Sequence, residues 1–314
     1  RRFSFGRPMI SFEQLSFSVY YFCCACMTNG TVLPSPVHNP LHKYQAQDYV
    51  LGEGAHSQVY LGRNVQTSES VALKLTDYTN LPTNSIKQLR SEVSMLKKIS
   101  TLPNNDDLLQ LKDVIEQDGE MCIITEHIEG GDLGDYCSEY ANGIPERIAK
   151  WPFKKLLQAT EVLHSNNICH RDLKLENVMY NKETHKLKLI DFGFAAETKI
   201  RENLEENVLH TDSCGSVHYA APEVVQHKAY DGKKADVWSL GIILFVLLSG
   251  LFPFDDSQNR TEVIFDQIVA ADFFMPSYFS SDVRPLLRSM LNKDPKKRPS
   301  VEEVLRHPWF TTHR

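Results

Sequence analysis

Residues 168–193 read I-C-H-R-D-L-K-L-E-N-V-M-Y-N-K-E-T-H-K-L-K-L-I-D-F-G. The run opens on His170-Arg171-Asp172 and closes on Asp191-Phe192-Gly193. Between them, residues 178–180 and 186–190 read as two short strands joined by a polar turn at 181–185. Such a hairpin can place Asp172, Asn177 and Asp191 around one phosphate. Asp and Asn oxygens suit Mg²⁺, a hard cation held by one or two carboxylates plus substrate phosphates. A carboxylate that binds no metal can accept a hydroxyl proton. Lys174, two residues after Asp172, would face the transferred phosphate.

H-R-D-L-K-L-E-N at 170–177, followed after two strands by D-F-G at 191–193, resembles the catalytic core of eukaryotic protein kinases. A lone H-R-D carries no weight; the full spacing rarely arises by chance. The plainer reading of these acids, caps of ordinary turns, weakens as the rest of the chain is read. The resemblance runs over residues 49–310. It implies an α+β, two-lobed protein-kinase fold. The small lobe would be a five-stranded antiparallel sheet with one main helix, the larger lobe mainly helical.

Upstream, residues 44–126 read as mostly strand with one helix. G-E-G-A-H-S-Q-V at 52–59 lies between strand-like runs near 49–51 and 58–62, and V-A-L-K-L at 71–75 makes a third. In a dinucleotide-binding fold the glycines would open a helix. Between two strands they read instead as a hairpin lid whose backbone N–H groups cover phosphates. Ser57 stands at the third glycine position and stiffens the lid without removing those amides. Residues 85–100 have helical composition, with Ile86, Leu89, Val93 and Leu96 on one face and Glu92 beside it. By resemblance, Lys74 pairs with Glu92 to orient the α- and β-phosphates. Strands follow near 108–116 and 121–125. The resemblance places Thr125 at the gatekeeper position, leaving a back pocket open, and Glu126-His127-Ile128 at the interlobe hinge. It gives the nucleotide site as Leu51, Gly52, Glu53, Gly54, Ala55, His56, Ser57, Gln58, Val59, Ala72, Lys74, Thr125, Glu126, Ile128, Asp132, Glu176, Met179 and Asp191.

Residues 129–310 read as mainly helical. Gly130-Gly131-Asp132-Leu133 starts a helix, with Asp132 near the ribose. The next helix spans about 148–165; Pro152 is tolerable only in a first turn, so its regular part is expected from Trp151. The activation segment runs from Gly193 to Ala221-Pro222-Glu223. In related kinases a phosphorylatable Thr lies two residues before the Cys of C-G-[ST]; here Asp212 does, between Thr211 and Ser213. Two readings stand side by side. Asp212 imitates a phosphate in part by pairing with Arg171, or Thr211 or Ser213 is the phosphosite. Asp236 opens an apolar helix. By resemblance it would anchor the His-Arg-Asp loop, and Glu223 would pair with Arg298. Ser300 and Glu303 read as a capping box.

The first 43 residues differ: rich in Ser, Phe and Pro, without a clear period. They read as a disordered or non-native leader, with residues 311–314 as a tail. The chain opens on Arg1, not Met, which reads as a fragment or processed form. The apolar stretch 15–27 is too short to span a bilayer. A signal-peptide core there conflicts with the kinase resemblance. Cys23, Cys24 and Cys26 are candidate palmitate carriers and so a candidate membrane tether. Asn29-Gly30-Thr31 matches a glycosylation sequon, and Arg1-Arg2-Phe3-Ser4 resembles a basophilic phosphosite. No autoinhibitory helix, calcium loop or second domain is expected after Phe310.

The chain of 314 residues has net charge −6, which advertises no nucleic-acid partner. Seven cysteines, odd in number and mostly scattered, argue against a disulfide framework and for a reducing compartment. A cytoplasmic location is expected, with a nuclear one also open. Lys174 favours Ser/Thr over Tyr substrates. D-V-W-S-L-G, C-G-S-V-H-Y-A-A-P-E and R-H-P-W-F are similar to the calcium/calmodulin-dependent and AMP-activated kinase group. Asp132 and Glu176 are acidic where that resemblance puts a pocket for a basic residue upstream of the target. The resemblance thus implies transfer from ATP with Mg²⁺, held by Asn177 and Asp191, to protein substrates, with Asp172, Lys174, Asn177, Lys74 and Glu92 as the catalytic set. The rival from another class, a pseudokinase scaffold, would be favoured by loss of Lys74, Asp172 or Asp191, and all three are present. Oligomeric state stays open.

Overall fold

The computed structural model describes residues 43–54, 56–198, 210 and 216–311. The small lobe is built on β1 (Tyr44–Glu53), β2 (Ser57–Asn64), β3 (Ser70–Asp77), β4 (Leu111–Gln117) and β5 (Glu120–Glu126). The strands form one antiparallel sheet in the order β1-β2-β3-β5-β4. Alternation in β3 decides its two faces. Val71 and Leu73 join Tyr44, Tyr60, Cys122 and Ile124 in a small core. Ala72 and Lys74 turn the other way and line a cleft. Gly62 lets β2 close on β3, since a Cβ there would come within 2.5 Å of Leu73 Cδ1. β4 and β5 are joined by Asp118-Gly119, both with positive φ (51° and 88°), the two-residue turn that matches strand twist.

Helix α1 (Thr83–Ile99) connects β3 to β4. It has no side-chain cap; its first turn closes on the Pro82 carbonyl, which accepts from Ile86 N–H at 3.1 Å. Leu89, Val93, Leu96 and Ile99 recur at helical spacing and are buried, which sets Glu92 on the inner flank. Lys97 and Lys98 in the last turn suit the negative end of the helix dipole.

The larger lobe runs through β6 (Gly131–Asp132), α2 (Leu133–Ser138), α3 (Glu146–Ser165), β7 (Ile168–Cys169), β8 (Val178–Asn181), β9 (Lys186–Leu189) and β10 (Ala196–Glu197). It ends with α4 (Pro222–Val225), α5 (Gly232–Ser249), α6 (Thr261–Ala270), α7 (Val283–Met290) and α8 (Val301–Leu305). β8 and β9 form the hairpin expected from the sequence, with β6 added along β8. α5 is buried on nearly all sides, so its sequence carries no amphipathic period. Among the described residues, no helix is long and apolar enough to cross a membrane.

Four boundaries differ from the sequence reading. α3 starts at Glu146, not near Trp151, because Ile148 and Ala149 N–H groups already close on the Pro145 carbonyl. Pro152 lies inside the helix and is buried beside Ala149, Phe153 and Leu156, so packing outweighs the lost hydrogen bond. β4 starts at Leu111, not 108: Leu109 N–H donates to the Leu189 carbonyl (3.0 Å) and Leu189 N–H to the Asp107 carbonyl (2.9 Å). Those residues stitch the small lobe to the β8–β9 hairpin instead of extending the sheet. α2 starts only at Leu133, with Asp132 as its N-cap. α5 starts at Gly232 behind its own cap, Asp231, whose carboxylate accepts from Lys233 N–H at 2.9 Å; Asp236 lies a turn inside.

Candidate active site

The turn at 170–172 is pinned from below by one carboxylate. Asp236, 1% exposed, accepts from His170 N–H (2.9 Å) and Arg171 N–H (2.8 Å), and His164 Nε2 lies 2.8 Å from it. This holds Arg171 at φ +65°, a left-handed conformation that a side chain disfavours. The turn presents Asp172. Lys174 Nζ sits 3.0 Å from Asp172 Oδ2, both nearly buried. Asn177 Nδ2 donates to the Asp172 carbonyl (2.8 Å) and to Oδ2 (3.1 Å). Ser216 closes the other side: its N–H donates to Asp172 Oδ1 (3.1 Å), and its hydroxyl accepts from Lys174 (3.3 Å).

Asp191 follows β9, also at positive φ (+59°), and its Oδ1 accepts from Gly193 N–H at 3.1 Å. Phe192 is buried, its ring 5.3 Å from His170. From the small lobe, Lys74 on β3 donates to Glu92 on α1 at 2.6 Å. These groups border a cleft of about 420 Å³ between the sheet and the larger lobe.

Most expected nucleotide contacts line this cleft: Leu51, Gly52, Glu53, Gly54, Ser57, Val59, Ala72, Lys74, Thr125, Glu126, Ile128, Asp132, Met179 and Asp191. His56, Gln58 and Glu176 lie outside its lining. Gln58 accepts from the Tyr60 hydroxyl (2.6 Å), and Glu176 from the Tyr219 hydroxyl (3.5 Å). Ala55, Thr211, Asp212 and Ser213 fall outside the described residues. In the lid, Gly54 N–H donates to the Ser57 carbonyl at 2.7 Å, so the turn closes with Ser57 in place of glycine. The cleft runs past Thr125 to Leu96, Ile123 and Phe192, which the sequence had not placed in the nucleotide site.

Asp132 is buried and caps α2, accepting from Asp135 N–H at 2.9 Å. Burial, with Asp135 and Glu176 nearby, pushes its carboxyl up to about 6. Burial also raises Glu176, and Lys174 only partly offsets it. Arg171 Nε donates to the Phe194 carbonyl (2.7 Å), and its Nη1 lies 3.4 Å from His210 Nδ1.

Two observations bear on metal binding. Asn177 Oδ1 is buried with no hydrogen-bond partner, an acceptor held ready beside Asp172. Among the described residues no three His, Cys, Asp or Glu side chains gather as a metal site. The open Asn177 Oδ1 fits a cation such as Mg²⁺ that takes most of its ligands from phosphate and water, and Asp191 would be its second protein ligand.

The sequence profile of the protein kinase domain matches residues 45–310. The chain belongs to the protein kinase domain family. This kinase domain is 38% identical over 262 residues to CBL-interacting protein kinase 10 of Oryza sativa subsp. japonica, covering 83% of this chain and 55% of that protein. It is 37% identical over 263 residues to the SNF-related serine/threonine-protein kinase of Homo sapiens, covering 84% of this chain and 33% of that protein. The chain thus spans about half the length of the rice relatives it matches. The two-lobed architecture above is that of the family.

Sequence reasoning missed Ser216 and His210. Ser216 was signalled by the C-G-S run at 214–216, whose last residue reaches back to the catalytic loop. His210 had no local signal; it reaches Arg171 and Cys169 only through the fold.

Proposed function

We propose that this domain is a Ser/Thr protein kinase, transferring the γ-phosphoryl of Mg-ATP to a hydroxyl on a protein. The observation that carries the reading is the cluster Asp172–Lys174–Asn177–Ser216, closed by an ion pair and direct hydrogen bonds. Asp172 orients the incoming hydroxyl and accepts its proton. Lys174, set between that carboxylate and the Ser216 hydroxyl, supplies positive charge where the transferred group passes. Lys74, held by Glu92, binds the α- and β-phosphates. Asn177 and Asp191 would hold Mg²⁺, which neutralises charge on the phosphate oxygens. The backbone of residues 126–128 offers the adenine edge, and the lid at 52–57 covers the phosphates. Catalysis of this kind is positioning and charge stabilisation rather than covalent chemistry.

For specificity, we read the acidic group Asp132, Asp135 and Glu176 as the pocket for a basic residue at the third position before the target. Burial raises both the Asp132 and the Glu176 carboxyls, and Glu176 adds to the rise at Asp132, so a bound guanidinium relieves that cost. The test is a peptide-library assay with Mg-ATP and Asp172→Asn as control. Transfer confined to the wild type, on Ser/Thr peptides with Arg upstream, is expected. Equal transfer by both proteins would expose a contaminant and sink the reading, and a library without basic preference would sink the specificity.

A further inference from the structure

At Glu126, where the hinge begins, several polar contacts meet that phosphotransfer does not use. Glu126 Oε1 accepts from Gln110 N–H at 2.9 Å and from Lys188 Nζ at 2.7 Å. Glu126 N–H donates to the Gln110 carbonyl at 3.0 Å. Lys188 also donates to the Leu108 carbonyl (3.3 Å), which accepts from Gln110 Nε2 as well (2.8 Å). Gln110 Nε2 reaches the Asn105 carbonyl (3.0 Å), and Asn105 Nδ2 donates to the Ile99 carbonyl in the last turn of α1 (3.0 Å).

Lys188 lies on β9, three residues before Asp191. Glu126 opens the hinge, and α1 carries Glu92. Three parts of the proposed nucleotide site are therefore joined: the hinge to β9 through the Glu126 carboxylate, and both to α1 through Gln110 and Asn105. Lys188 and Glu126 side chains are 16% and 23% exposed. They are sheltered enough that the pair is not a screened surface contact. They are open enough that losing the ammonium leaves a carboxylate water can still reach, so the lesion falls on position rather than folding.

We propose that Lys188 is a positioning residue for the nucleotide: acting through Glu126, it fixes the hinge at 126–128 against β9 and sets the affinity for the adenine end of ATP. The proposal rests on the phosphotransfer reading. If the hinge binds adenine equally in the ground and transition states, its misplacement raises KM for ATP more than it lowers kcat.

The test compares wild type with Lys188→Met, Lys188→Arg and Glu126→Gln. Mg-ATP binding is measured by calorimetry, and steady-state kinetics are run with ATP and peptide varied separately. Lys188→Met is expected to weaken the Kd for ATP by about tenfold, with KM for ATP rising in parallel and KM for peptide holding within about twofold. Lys188→Arg, which keeps a cation within reach, restores binding to within about threefold of wild type. The double variant Lys188→Met/Glu126→Gln binds no worse than Lys188→Met alone, because both act through one contact. Wild-type affinity in Lys188→Met overturns the proposal. So does an equal rise in both KM values, which marks a general structural role. Should Lys188→Met fail to fold, wild-type affinity in Glu126→Gln overturns it instead. A wild-type protein that binds no nucleotide sinks the phosphotransfer reading itself, whereas a binding wild type with unaffected variants sinks only this inference.

Discussion

Replacing Asp236 by Asn changes one buried oxygen to nitrogen and tests what holds the catalytic turn. Asp236 serves two backbone donors, His170 N–H on Oδ2 and Arg171 N–H on Oδ1, with His164 Nε2 against Oδ2. Asn has one acceptor oxygen. Turned towards Arg171, it sets its NH₂ against His170 N–H; turned the other way, it orphans Arg171 N–H. Either way one buried N–H is lost, at about 1–3 kcal/mol, and the surviving bond loses its charge assistance, about 1 kcal/mol. The sum is about 2–4 kcal/mol, a fall of roughly 4–16 °C in Tm for a domain of this size. The left-handed turn at Arg171 then loses the bonds that over-determine it, and Asp172 drifts. A misplacement of about 1 Å costs on the order of 10²-fold in kcat. Lys74, Glu92 and the hinge do not touch Asp236, so KM for ATP stays near wild type. Calorimetry and steady-state kinetics read both effects. A kcat within threefold of wild type would refute the claim that this carboxylate positions Asp172.

Lys74→Met should fold normally, because the Lys74–Glu92 pair is partly open to water, yet lose phosphotransfer by at least about 10²-fold in a peptide assay. Arg298→Leu strands Glu223, to which Arg298 donates at 2.6 and 2.7 Å with both side chains buried. The expected cost is about 3–5 kcal/mol by denaturant unfolding, and Glu223→Leu/Arg298→Leu should recover much of it. Burial raises the Asp132 carboxyl from 3.8 to about 6, so the folded domain holds that proton more tightly than the unfolded chain does. Its contribution is fully present below about pH 4 and lost as pH rises through 6, a swing of about 2–3 kcal/mol that Asp132→Asn should flatten. Wild-type and variant Tm values compared at pH 4.5 and 7.5 check this.

What was legible in the sequence was local or spaced by motif. Asp172, Lys174 and Asn177 lie within six residues, and the hairpin that follows fixes Asp191, so their spacing carried the site. The capping box at Ser300 and Glu303 and the Glu223–Arg298 pair also stand as read. What failed was settled by tertiary packing. Pro152 argued for a late helix start, but its buried neighbours on α3 outweigh one missing bond. Residues 108 and 109 looked like strand continuous with β4 and instead pair with Leu189 of β9. Glu176 reads as a cleft residue but meets Tyr219. Lys188 and Glu126 stand 62 residues apart, and no pattern in either segment announces their contact.

The buried cysteines give the domain its own reporters. Cys122 belongs to the small-lobe core, Cys137 and Cys169 to the larger lobe, and all three are free thiols. Burial pushes Cys122 up to about 12 and Cys137 up to about 11, and raises Cys169 further still. Thiolate is the reactive form, so the closed domain shields all three from alkylation. Modification then proceeds only as fast as each lobe opens. Timed labelling, resolved residue by residue by mass spectrometry, would therefore clock the two lobes separately in one unmodified sample, and nucleotide should slow whichever lobe it braces.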